Sequence, residues 1–102
     1  MTKKRDNIAR LEDLPNIGPS IAADLRQLGI KEPAELVGRD PYEMYDELCR
    51  LTRKRQDPCL LDTFIAAVRY MGGEQEKPWW KYTAERKRKL AERSSAKLEK
   101  AT

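Results

Sequence analysis

Proline and glycine cut this chain into short helical lengths. Proline has a fixed φ and no N–H, so it suits the first position of a helix and breaks the interior. Gly18-Pro19, Pro33, Asp40-Pro41 and Asp57-Pro58 each open a segment in this way. Asp40-Pro41-Tyr42-Glu43 also has the spacing of a capping box with aspartate as the cap. Gly29, Gly38 and Gly72-Gly73 stand where the segments should stop, because glycine enters the left-handed conformation that closes a helix. Apolar spacing agrees with these breaks. Ile21, Leu25 and Leu28 share one helical face, as do Met44, Leu48 and Leu51. Leu61, Phe64, Ile65 and Val68, widened by Ala66 and Ala67, predict a central buried helix over 58–71. No stretch alternates with period two for long enough to make a strand. The expectation is an all-α chain. Helices are predicted near 6–12, 19–28, 33–37, 41–53 and 58–71, with a last one starting at Trp79 or Thr83.

At 102 residues the chain has room for one modest core. Residues 6–80 are expected to form that helical domain, and 81–102 a basic, partly disordered helical tail. From Lys81 onward only Tyr82, Leu90 and Leu98 are large and apolar, so the tail has good helix formers but little face to bury. Trp79-Trp80 just before it is read as a lid on the core, with a partner-binding anchor as the other reading. No apolar run approaches the length of a membrane span, and the N-terminus shows no signal-peptide pattern. The chain is expected to be cytoplasmic, with no membrane partner.

The net charge of +4 is unevenly placed. Lys3, Lys4 and Arg5 are basic, residues 6–80 carry ten positive against fourteen negative charges, and residues 81–102 carry eight against three. An acidic body with basic ends differs from the uniformly basic face of many DNA-binding domains. The chain has no histidine, which removes the commonest general base and metal ligand. Cys49 and Cys59 cannot complete a tetrahedral zinc site within one chain, though two copies could share one. They are read as buried free thiols. Asp46, Glu47, Asp57 and Asp62 are spaced as solvated or capping charges, and no base stands beside either thiol. A redox-sensing thiol beside Arg50 is the residual alternative. No enzymatic activity, metal, cofactor or small-molecule substrate is expected.

The segment Leu14-Pro15-Asn16-Ile17-Gly18-Pro19-Ser20-Ile21-Ala22-Ala23-Asp24-Leu25, continuing through Leu28-Gly29-Ile30, resembles the helix-hairpin-helix motif. A tight turn into a helix start leaves backbone N–H groups unpaired and adds the positive end of the helix dipole, a combination suited to a phosphate oxygen. The resemblance implies that Asn16, Ile17, Gly18, Ser20 and Ile21 face the nucleic-acid backbone. Asn16 replaces the motif's usual first glycine, and asparagine tolerates the left-handed conformation. Ser20 stands where a basic residue is common, and Asp13 and Asp24 lie close by. Arg50, Arg53, Lys54 and Arg55 precede the Asp57-Pro58 start. If 41–71 is a degenerate second hairpin unit, Arg53, Lys54 and Arg55 would hold a neighbouring phosphate. The hairpin as a packing device and the basic cluster as a solvated loop remain the alternatives.

The order of that hairpin, then Gly38-Arg39-Asp40-Pro41-Tyr42-Glu43-Met44-Tyr45-Asp46-Glu47-Leu48-Cys49, then Asp57-Pro58-Cys59-Leu60-Leu61-Asp62-Thr63-Phe64 and Pro78-Trp79-Trp80, resembles the bacterial pathogenicity-locus family. Some of its members are labelled mitomycin-resistance proteins. A more distant resemblance is to the C-terminal domain of the competence regulator TfoX. Both imply a compact five-helix, SAM-like bundle containing a helix-hairpin-helix element, and neither supplies a defined activity. The function expected is weak, backbone-directed nucleic-acid binding. The alternative is a protein-interaction or adaptor domain whose hairpin is purely structural, with an unidentified protein as partner.

Overall fold

The structure, a computed structural model, describes the backbone of residues 10–101 and the side chains of residues 10–93. The described residues are all helical, with no strand. Among the described residues there are four α-helices, α1 (Pro19–Gln27), α2 (Pro41–Thr52), α3 (Pro58–Met71) and α4 (Thr83–Ala101), and three 3₁₀ turns: Leu11–Asp13 before α1, Pro33–Leu36 between α1 and α2, and Trp79–Tyr82 between α3 and α4. Proline stands at the first position of each helix and turn that the punctuation predicted. The segment expected to be a helix near 33–37 closes as a single 3₁₀ turn, in which the Glu35 carboxylate accepts from the Glu32 N–H at 3.1 Å. Of the helix expected near 6–12, residues 6–9 lie outside the described residues, and Leu11–Asp13 is a 3₁₀ turn.

α3 is the centre of the packing. Its residues from Leu61 to Ala67 are all buried. Phe64 and Ala67 face one cluster with Leu11, Leu25, Ile30 and Leu48. Leu61, Ile65 and Ala66 face another with Tyr42 and Tyr82. A helix that buries two faces needs apolar residues nearly all round, which is what 61–68 provides. At about 1.5–3 kcal/mol for each large side chain withdrawn from water, this helix dominates the core. Leu51 shares the predicted face of α2 with Met44 and Leu48 but is exposed, whereas those two are buried.

Three helices end in the same hydrogen-bond pattern. At the end of α1 the N–H of Ile30 donates to the Leu25 carbonyl and that of Gly29 to Arg26. α3 repeats this with Glu74 to Arg69 and Gly73 to Tyr70, and α2 with Lys54 to Cys49 and Arg53 to Arg50. The pattern requires a left-handed residue after the helix, normally glycine. Gly29 (φ +86°) and Gly73 (φ +111°) supply it, whereas α2 uses Arg53 at φ +56°.

Asp62 corrects the reading of the carboxylates. It is fully buried rather than solvated. Its oxygens accept from Thr83 Oγ1 at 2.6 Å and from Arg86 Nε at 2.8 Å. Its place inside the apolar run 61–67 was the available signal. The segment from Lys81 on is likewise not a face with nothing to bury. α4 docks through Arg86 on Asp62, Glu85 on Arg69 and Arg93 on Asp46 at 2.7 Å, and Leu90 packs beside Tyr42. A periodicity scan for apolar residues is blind to a face built from charged side chains that meet opposite charges. The Trp79-Trp80 lid is also changed. Tyr82 is buried, Trp79 is half-buried, and Trp80 is 57% exposed with its ring edge-to-face on Trp79 at 5.7 Å.

Candidate functional site

The chain enters α1 through a tight turn anchored in the core by Leu14 and Ile17. The Ile17 N–H donates to the Leu14 carbonyl at 3.2 Å, and Asn16 takes the left-handed conformation at φ +70°. The Asn16 side chain is also engaged, with Nδ2 donating to the Lys77 carbonyl at 2.8 Å. This bond ties the turn to the segment that leads to Trp79. Ile17 is thus buried rather than facing outward, and the half-buried Asn16 amide is committed to a partner within the chain.

Gly18, Ser20 and Ile21 are placed differently. Gly18 is the residue before α1, in extended conformation (φ −94°, ψ −178°), and its carbonyl accepts from the Ala22 N–H at 2.9 Å. No side chain caps this helix start. The N–H groups of Ser20 and Ile21 therefore have no partner among the described residues, at the positive end of the helix dipole. A Cβ added at Gly18 would meet no atom within 4 Å. Neither the backbone conformation nor internal packing demands glycine at this position.

The basic loop follows α2. Arg53, Lys54 and Arg55 are all exposed. The backbone beneath them is held: the Gln56 N–H donates to Cys49 Sγ at 3.4 Å, Gln56 Nε2 donates to Thr52 Oγ1 at 2.8 Å, and the Tyr45 hydroxyl donates to the Gln56 carbonyl. A left-handed arginine costs about 1 kcal/mol or more relative to glycine. The loop reaches α1 electrostatically. Partial burial raises the Asp24 carboxyl above its ordinary range, and the charge of Lys54 opposes that rise. Arg50 instead lies among Glu43, Asp46 and Glu47 on α2.

An open groove of about 380 Å³ separates the starts of α1 and α3. Ser20, Ile21 and Asp24 form one wall, Asp57 and Leu60 the other, and Trp79 lies along it. The two helix starts differ chemically. Asp57 fills the start of α3, accepting the Cys59 N–H at 2.8 Å, and that bond holds its carboxyl below the usual range. The start of α1 has no such acid. Cys59 is exposed on this groove rather than buried, and its thiol is raised, first by partial desolvation and then by Asp57. Cys49 is half-buried. A raised thiol such as that of Cys59 is a poor nucleophile at neutral pH.

The structure thus brings Ser20 and Ile21 to one groove whose far wall begins just after Arg53, Lys54 and Arg55. The arginine at the left-handed position was the part sequence reading missed. Its signal was the absence of any glycine at the end of α2. Among the described residues, no helix is long and apolar enough to cross a membrane.

Comparison with known proteins adds to this geometry. The model of the pathogenicity-locus family matches residues 4–88. A protein of Streptomyces lavendulae named mitomycin resistance protein McrB is 47% identical over 81 residues, covering 79% of this chain and 77% of its own length. No solved structure matches the chain. On a family match that runs from before the turn at Asn16 into α4, the chain belongs to the pathogenicity-locus family.

Proposed function

We propose that this protein is a nucleic-acid-binding module that holds phosphates without reading sequence, through a helix-hairpin-helix element within a SAM-like bundle. The observation that carries the proposal is Gly18. Nothing inside the chain needs glycine there, no side chain caps the helix it precedes, and the N–H groups of Ser20 and Ile21 remain unpaired. A bare helix start at an exposed residue is suited to an approaching anion. Arg53, Lys54 and Arg55 supply the positive charge that Ser20 does not. Lys87, Arg88 and Lys89, exposed on α4, extend it, whereas Arg86 is occupied by Asp62. Binding is weak, because the acidic body opposes it. The protein is not itself an enzyme, and it acts in the cytoplasm. The name of the Streptomyces lavendulae relative adds to this proposal a role in resistance to mitomycin.

The exposed Trp80 favours a second reading, in which the chain is an adaptor that buries this ring against a protein partner. Fluorescence anisotropy of labelled DNA at about 50 mM and about 200 mM salt separates the two. Salt-sensitive binding that the Gly18→Asp/Arg53→Glu variant loses supports the phosphate-binding surface. Binding that survives the variant and disappears in Lys87→Glu/Arg88→Glu/Lys89→Glu, three exposed positions outside the core, assigns it to the C-terminal basic segment. No binding at low salt refutes the proposal and leaves the adaptor reading.

A further inference from the structure

We infer that the groove between the starts of α1 and α3 receives an unpaired nucleobase, stacked on Trp79, and that the protein therefore prefers single-stranded to duplex nucleic acid. The inference rests on the phosphate-binding reading above and deepens it by naming the form of the substrate. Three observations lead to it. The first is the lining: Ile21, Leu60 and the half-buried Trp79 offer apolar surface in an open space of about 380 Å³. A flat heterocycle fits such a lining, and base–aromatic stacking does not depend on sequence. The second is charge. Arg53, Lys54 and Arg55 stand exposed in the loop that runs directly into the groove lining at Gln56, and the charge of Lys54 reaches the groove carboxylate Asp24. A strand whose phosphates lie on this basic loop would have its bases within reach of the adjoining groove. The third is the way Trp79 is held. Asn16 fixes the Lys77 carbonyl two residues before it, and the Trp80 ring stands edge-on to it at 5.7 Å. The ring is thus positioned by the same turn that presents the start of α1.

The carboxylates make the inference sharper. An aspartate oxygen accepts from an exocyclic amino group, as on cytosine N4, and repels a carbonyl oxygen in the same place, as on thymine O4. Asp57 is engaged by the N–H and the thiol of Cys59, whereas the Asp24 carboxylate on the opposite wall accepts no side-chain hydrogen bond among the described residues and is available to the groove. Oligo-dC should therefore bind more tightly than oligo-dT of equal length and charge, by at least about five-fold.

The test uses the full chain carrying Trp80→Phe, so that Trp79 is the sole tryptophan, titrated with oligo-dC, oligo-dT and a mixed-sequence duplex. Intrinsic fluorescence and anisotropy are read together at low salt. The inference predicts that single strands quench Trp79 and that oligo-dC outbinds oligo-dT. Trp79→Leu should lower single-strand affinity by about ten-fold or more with duplex affinity unchanged, and Trp79→Tyr should restore most of it. Should Trp79→Leu fail to fold, the quenching and the dC preference still decide the matter in the chain that carries Trp79. Equal binding of duplex and single strands without quenching overturns the base pocket and leaves the phosphate surface standing. Absence of binding by every DNA overturns both.

Discussion

Placing an aspartate at Gly18 should stabilise the fold while abolishing phosphate binding. Gly18 precedes α1 in extended backbone, where any residue fits, and the space over its Cα is empty to 4 Å. An aspartate there has the position that Asp40 has before α2 and Asp57 before α3, where each carboxylate accepts a backbone N–H at 2.9 and 2.8 Å. Relative to glycine, such a cap contributes a few tenths of a kcal/mol. The negative charge at the helix start contributes about 0.3–1 kcal/mol. The loss of unfolded-state freedom contributes about 0.4–1 kcal/mol more. These terms overlap, and a net gain of about 1 kcal/mol is expected, read as a rise of about 4–8 °C in Tm. The same carboxylate would occupy the N–H groups of Ser20 and Ile21 and repel phosphate, so DNA affinity should fall about ten-fold or more at low salt. Thermal unfolding followed by circular dichroism, with DNA anisotropy on the same preparation, measures both. A purely structural glycine predicts the opposite sign for stability. A fall in Tm would refute the reasoning, and so would a rise in Tm with unchanged binding.

Arg53→Gly relieves a left-handed arginine and should stabilise the chain by about 1 kcal/mol in urea unfolding, with weaker DNA binding at low salt. Arg86→Ala strands the fully buried Asp62 carboxylate, with only Thr83 left to bond it, and should cost about 3–5 kcal/mol. A loss below about 1 kcal/mol would show that water reaches Asp62. The pH dependence follows from Glu12, whose carboxyl is held at about 2 by hydrogen bonds from Arg26 at 2.9 Å and from its own backbone. A folded-state pKa below the unfolded one stabilises the chain above the ordinary carboxylate range, and that contribution is lost as pH falls toward 2. Tm should drop between pH 5 and pH 2, and Glu12→Gln should flatten the drop.

The elements of this protein were legible in its sequence because proline and glycine act locally. Pro19, Pro33, Pro41 and Pro58 each set a start through their own fixed φ, and Gly29 and Gly73 each set a stop through their own freedom at positive φ. The burial of α3 was equally legible, since 61–67 carries apolar residues on two faces. What tertiary structure alone decided were the pairings between groups far apart in the chain. Asp62 is a buried charge only because Thr83 and Arg86 arrive on a helix that begins 21 residues later. Asn16 is a tether only because Lys77 comes back to it across 61 positions. The groove beside Gly18 exists only because α1 and α3 start side by side. Local conformation is a property of a few neighbouring residues, whereas a polar contact depends on where two distant segments meet, and no periodicity within either segment records that.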